Sequence, residues 1–297
     1  MAFKLDDSVL AAFHRDGFIV VDQLVPADEI AHIRDIILRL HDQNVGFKEG
    51  AQFDAVAPDG DVKERRFPQI LNPRLFAPEL MATNYHKLGA ELARQILGDE
   101  ARFKADISFM KPARIGSVTG WHQDEAFGDP KIEYKEISIW LALTPANASN
   151  SCMSFIPGSH LGPLLDHRPM GGDTRNHALE CEEEFDPALA VECPLSPGDC
   201  TIHTHRTLHY AGPNPSDSPR LGYVLMYDTP SWPRAVPRDF PWREQSTDRL
   251  IREQSWRRRG GFFVHLWRYK HRMVANRIDT IKRNLQSMMD WVRHSRT

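Results

Sequence analysis

Two short stretches of this sequence hold the residue types that could do chemistry. In Trp121-His122-Gln123-Asp124 a histidine and a carboxylate stand two residues apart. If the run is extended, both point to one face, because successive strand side chains alternate. Such a pair can grip one metal ion. A second histidine would complete a two-histidine, one-carboxylate face, which suits iron(II) and leaves positions open for oxygen and substrate. The stretch Pro197-Gly-Asp-Cys-Thr-Ile-His203-Thr-His205-Arg-Thr-Leu-His209 offers three candidates. His203 and His205 share a face if the strand continues, and His209 follows a short bend. The pattern alone does not choose among them.

Arg220 bears on the choice. It lies eleven residues after His209 and opens the apolar run Leu221-Gly-Tyr-Val-Leu-Met226. Pro213, Asn214 and Pro215 mark a turn between them. His209 and Arg220 are therefore expected side by side, on adjacent antiparallel strands or their connection. An arginine fork holds a carboxylate through two hydrogen bonds, so a metal beside it would take a dicarboxylate at both ends. A competing arrangement uses His203, His205 and His209 on zinc to activate water, as in a metal-dependent hydrolase or isomerase. It leaves Asp124 and Arg220 without a purpose.

These residues need a frame. Asp6 or Asp7 can cap a short helix with Val9, Leu10 and Phe13 on one side, Gly17 stops it, and Phe18–Val21 reads as a buried strand. Pro26 opens a second helix with Ile30, Ile33, Ile37 and Leu40 at helical spacing. The polar stretch 44–64 reads as loop, and a third helix is expected over 79–97, ending at Gly98. From Arg102 to Asp228 short apolar runs alternate with turn residues, the texture of an all-β barrel or sandwich. Strands are expected at 103–111, 118–122, 136–143, 152–156, 199–204 and 220–228. The insert 158–195, rich in Gly, Pro, Asp and Glu, reads as a functional lid or a mobile segment. After Pro230 a Trp/Pro-rich connection leads into a basic, helical tail. The expected organisation is one domain over 1–230 and an extension over 231–297, packed on that domain or on a partner subunit as a homo-oligomer contact.

Composition excludes little and is ordinary for a soluble globular protein. The chain has 297 residues, 41% hydrophobic and 26% charged, which is enough to bury a large core without staples. A net charge of −3 gives no overall nucleic-acid signal. No apolar run is long enough to span a bilayer, so no stable membrane insertion is expected. Cys152, Cys181, Cys193 and Cys200 form no Cys-x-x-Cys pair, and the start of the chain lacks a signal-peptide pattern, so a reduced, cytoplasmic protein is expected. Arginines among aromatics between Trp256 and Arg272 raise a surface-binding reading. Solvated faces of packed helices are the plainer account.

Taken in order, His122-Gln-Asp124, Ile156-Pro-Gly-Ser-His160, Pro197-Gly-Asp199, and His209 with Asn214 and Arg220 resemble the phytanoyl-CoA dioxygenase family, and the likeness runs to about Asp228. The resemblance implies a mainly β fold, a double-stranded β-helix or jelly roll flanked by helices. It implies His122, Asp124 and His209 as iron(II) ligands and Arg220 as the partner of the distal carboxylate of 2-oxoglutarate. Trp140, His160 and Gln123 resemble residues lining the co-substrate pocket. Phe127, the 158–195 insert, Arg66 and Gln69 are expected to face a small-molecule substrate. The implied reaction consumes O2 and 2-oxoglutarate, releases succinate and CO2, oxidises a substrate C–H bond and takes ascorbate as a stimulant. One departure stands out: some members place a hydroxyl residue two positions after the distal histidine, where this chain has Ala211.

Overall fold

The computed structural model describes residues 3–57, 65–115 and 117–245. The tail expected to be helical, from residue 246 on, lies outside the described residues.

The chain opens with α1 (Asp7–Asp16), β1 (Phe18–Val21) and α2 (Ala27–Asp42). The helices form where apolar residues recur at helical spacing, and α1 ends at Gly17, whose φ of 83° is left-handed and natural for glycine. The polar stretch that follows is not all loop. It contains β2 (Gln52–Asp54), which pairs with β3 (Pro68–Leu71). The helix expected over 79–97 is broken: a 3-10 turn covers Pro78–Ala82, and α3 (Asn84–Leu97) starts anew after Thr83, whose hydroxyl accepts from the His86 N–H.

From there the chain is mostly strand: β4 (Arg102–Lys111), β5 (Thr119–His122), β6 (Ile132–Glu133), β7 (Glu136–Ala142), β8 (Met153–Phe155), β9 (His167–Pro169), β10 (Leu179–Cys181), β11 (Val191–Cys193), β12 (Cys200–Thr204), β13 (His209–Ala211), β14 (Arg220–Asp228) and β15 (Trp232–Pro233), before a short α4 (Pro241–Gln245). A seven-stranded sheet runs β1-β12-β7-β14-β4-β3-β2, and a four-stranded sheet runs β11-β8-β13-β5, all pairs antiparallel.

Period-two alternation explains how the large sheet is covered on both faces. On β14, Leu221, Tyr223, Leu225 and Tyr227 pack with Ile30, Ile33, Ile37, Tyr85 and Leu92 of the helices. The alternate residues Arg220, Gly222, Val224 and Met226 face the other way. There Trp140, Ala142 and Val224 share a core with Met153, Phe155, Cys193 and Ala211 of the small sheet. Strand β7 is buried along its whole length, as a strand covered on both faces should be. Gly222 is required on this inner face, because a Cβ there would lie 2.2 Å from the Trp140 indole.

The insert 158–195 has its own structure. Strands β9 and β10 pair as a ribbon, and β11 joins the edge of the small sheet. Strand β15 pairs β6, and Trp242 of α4 is buried, its indole N–H donating to Ala126 O at 2.9 Å. The segment 232–245 thus packs against the turn that follows Asp124. The four cysteines are free thiols, and among the described residues no helix is long and apolar enough to cross a membrane.

Candidate active site

His122 ends β5, and Gln123 keeps the extended conformation (φ −115°, ψ 129°), so alternation carries over to Asp124 although a 3-10 turn begins there. His209 starts β13, and its register partner on β5 is His122. Pairing two short strands of the small sheet therefore brings His122 and His209 together. One ligand atom each from His122, Asp124 and His209 lies within 4.8 Å of the others. The His122 and His209 Nε2 atoms stand 3.5 and 3.7 Å from Asp124 Oδ1.

Backbone carbonyls fix the rings. His122 Nδ1 donates to Gly120 O at 2.8 Å and His209 Nδ1 to Thr207 O at 2.9 Å, which turns each Nε2 lone pair inward. Burial drives the His209 imidazole well below its ordinary pKa, aided by His122 beside it, so the ring is neutral. Burial alone would raise Asp124. The surrounding rings of His209, His122 and His203 outweigh it and hold the carboxyl well below the usual range. Two imidazoles and one carboxylate facing a common point are a donor set for a divalent cation, and the set fits iron(II).

The alternative three-histidine site is not assembled. His205 turns away: its Nδ1 meets Glu136 O at 3.2 Å and its ring stacks on Tyr134. His203 stays close, its ring 4.7 Å from that of His209 and its Nε2 3.5 Å from Asp124 Oδ2.

Arg220 corrects one expectation. It is not side by side with His209, because β13 belongs to the small sheet and β14 to the large one. The eight residues 212–219 cross from one sheet to the other. Arg220 is 2% exposed, its guanidinium carbon lies 4.5 Å above the Trp140 ring, and Nε has no hydrogen-bond partner. Burial lowers its pKa to about 10, which still leaves it charged. A buried guanidinium with no acidic partner among the described residues calls for an anion from outside the chain.

The other expected pocket residues divide. Trp140 lies under the Arg220 guanidinium. Gln123 is committed to the insert: its amide donates to Pro163 O and Arg206 O and accepts from Leu165 N–H, and its backbone N–H donates to His167 Nε2. His160 sits at the junction of α1 and β1, with Nε2 3.2 Å from His14 O and the ring against Gly17. Phe127 flanks His122. Its ring is edge-on to His122 and stacks on His177 of the insert, and His177 in turn meets Phe53. Gln69, in register with Phe109, lies on the inner-face row that continues to Gly222, whereas Arg66 is exposed.

Three participants carried no signal in the sequence. Ser138 Oγ lies 3.3 Å from Asp124 Oδ2. The Thr201 hydroxyl, next to Trp140 in register, is buried without a partner. Glu125, buried directly after Asp124, takes Arg234 at 2.6 Å, Arg238 at 2.9 Å and Arg206 at 3.4 Å.

Two facing antiparallel sheets with this donor set and a buried, unpaired arginine are the features of a 2-oxoglutarate-dependent non-haem iron oxygenase. Comparison with known proteins agrees, and the chain belongs to the family described as phytanoyl-CoA dioxygenase (PhyH), whose profile matches residues 13–222. The crystal structure of EvdO2 from Micromonospora carbonacea var. aurantiaca complexed with 2-oxoglutarate aligns with a TM-score of 0.70. It is 32% identical and covers 82% of this chain and 98% of that one. A probable alpha-ketoglutarate-dependent hypophosphite dioxygenase of Stutzerimonas stutzeri is 25% identical over 73% of this chain and 77% of its own length. An ectoine dioxygenase of Sphingopyxis alaskensis is 26% identical over 78% and 80%. The chain is thus a dioxygenase that uses iron(II), 2-oxoglutarate and O2.

Proposed function

We propose that the protein oxidises an unactivated C–H bond of a small molecule, with hydroxylation as the ordinary outcome and succinate and CO2 as co-products. In this reading the two sheets are the halves of a double-stranded β-helix. His122, Asp124 and His209 hold the iron, and Arg220 receives the far carboxylate of 2-oxoglutarate. The observation that carries the reading is the buried guanidinium of Arg220, which has no acidic partner among the described residues, on the sheet facing His122, Asp124 and His209.

When bound, iron with the keto acid supplies the oxidising power. The chain's own residues position and exclude. Trp140 and Arg220 orient the co-substrate. Phe127 and His177 screen the metal side from water, and the aromatic wall they form with Phe53 favours a substrate that presents an apolar face there. No side-chain general base is needed. Asp124 fills the ligand position that related halogenases leave for chloride, so an unchlorinated product is expected.

The test is substrate-dependent succinate formation with iron(II), 2-oxoglutarate and ascorbate across a panel of small molecules. Succinate release above the uncoupled background is expected from the wild type and not from His209→Ala. Full turnover by His209→Ala, or a chlorinated product in chloride buffer, would overturn the assignment.

A further inference from the structure

A second buried cation stands beside Arg220. Lys111, the last residue of β4, is the register partner of Arg220 on β14 and is 1% exposed. Neither has an acidic side chain in ion-pair reach among the described residues. Lys111 Nζ donates to the carbonyls of Ser117 (3.3 Å), Ala211 (2.9 Å) and Gly212, and lies 5.3 Å from the centre of the Phe67 ring. Three acceptors match the three N–H donors of an ammonium, so the cage suits the charged form. Burial, reinforced by Arg220, pushes the other way and drives the amine well below its ordinary pKa. Two adjacent buried basic side chains with no acid in ion-pair reach among the described residues form a site whose missing element is negative charge.

The cage also ties the parts of the active site together. Lys111 belongs to the large sheet, but its ammonium grips Ala211 and Gly212, just beyond His209 on β13, and Ser117, just before β5 and His122. The span between the metal residues of one sheet and the arginine of the other is therefore braced by this side chain. Ala211 offers no hydroxyl to an incoming carboxylate.

We propose that Lys111 is a positioning residue for the co-substrate: its charge joins that of Arg220 in attracting the distal carboxylate of 2-oxoglutarate, and its carbonyl cage sets the distance between that carboxylate and the metal. This inference rests on the oxygenase reading above. It separates Lys111 from a merely structural lysine, because a structural lysine would matter equally for keto acids with and without a distal carboxylate.

The experiment compares 2-oxoglutarate with 2-oxopentanoate, which has the same carbon chain and no distal carboxylate. Binding of each to the full-length, iron(II)-loaded protein is measured by calorimetry without oxygen. Lys111→Met removes charge and donors, and Lys111→Gln removes the charge but keeps an amide for the carbonyl corner, so either folded variant gives the answer. The expected result is a loss of about tenfold or more in affinity for 2-oxoglutarate, with less than about twofold change for 2-oxopentanoate. Equal losses for both acids, or no loss for 2-oxoglutarate, would overturn the role of Lys111. Wild-type protein that binds iron but neither acid would overturn the oxygenase reading itself.

Discussion

His203 Nε2 stands 3.5 Å from Asp124 Oδ2, the carboxylate oxygen turned away from the His122–His209 pair. Ser138 Oγ approaches the same oxygen at 3.3 Å. His203 and Ser138 are register partners on β12 and β7, so the large sheet presents both donors together. Asp124, on a turn after the small sheet, is thereby anchored to the opposite wall. One carboxylate oxygen takes the Ser138 hydrogen bond and the close approach of His203, while the other faces His122 and His209 and is the oxygen that would meet a metal.

His203→Phe should keep the fold, since the ring is buried against Phe155 and His209, and should weaken iron(II) binding by about 10–100-fold, the usual cost of losing a partner of a metal ligand. His203→Gln, which can still donate, should recover part of the loss. The measurement is an anaerobic iron titration. Iron affinity unchanged in His203→Phe would show that Asp124 is placed without it.

Arg220→Met removes the charge but not the bulk above Trp140. Losing one partner of a buried charge pair costs about 2–5 kcal/mol, so the dissociation constant for 2-oxoglutarate should rise by at least about thirtyfold. Arg220→Lys should recover little, because an ammonium lacks the planar fork. Titration with 2-oxoglutarate of the metal-loaded protein reads this directly, and unchanged affinity would exclude the anchor role.

Much of this frame was legible in the sequence. The helical spacing of Ile30, Ile33, Ile37 and Leu40 and the strand runs of 103–111, 136–143 and 220–228 all lie where expected, because burial on one helix face or both strand faces writes itself into local pattern. Sheet membership was not legible. Strands β13 and β14 are consecutive and separated by a turn-rich stretch, which looks like a hairpin, yet the chain crosses between sheets there and each strand finds its partners more than fifty residues away. Lys111 and Glu125 were illegible for a related reason. A lone charged residue reads as surface, and what buries these two are Ala211 and Gly212 in one case and Arg206, Arg234 and Arg238 in the other.

The Glu125 hub predicts a link between the 232–245 segment and the metal turn. Arg234 reaches Glu125 at 2.6 Å and also donates to Ile132 O, while Trp242 holds Ala126 O. Glu125→Ala would leave three guanidinium groups facing a vacated pocket, a loss on the order of 3–5 kcal/mol for a broken buried pair. The variant should show a lower denaturation midpoint, faster proteolysis between 230 and 245, and weaker iron binding, because Asp124 is the adjacent residue. Wild-type proteolysis rates in Glu125→Ala would contradict the link.

Acid should destabilise the protein through two histidines remote from the metal. His41 is fully buried and its pKa falls to about 3, first by burial and then by Arg65. His86 falls to about 4, again mainly by burial. Hydrogen bonding suits the neutral rings: Gln52 Nε2 donates toward His41 Nδ1 while His41 Nε2 meets Ser108 Oγ, and His86 Nε2 meets the Tyr223 hydroxyl. Both folded pKa values lie below the unfolded value of about 6.5. Between the two values the unfolded chain binds more protons, so unfolding free energy rises with pH across that window. The stabilisation is complete above about pH 6.5 and drains away as pH falls toward 4 and then 3. The shifts are worth on the order of 5 kcal/mol for His41 and about 3 kcal/mol for His86. Urea midpoints measured at intervals from pH 7.5 down to pH 4.5 should decline steadily, and His41→Gln should flatten part of the slope. A midpoint independent of pH over that range would mean that these rings are not buried in the neutral form.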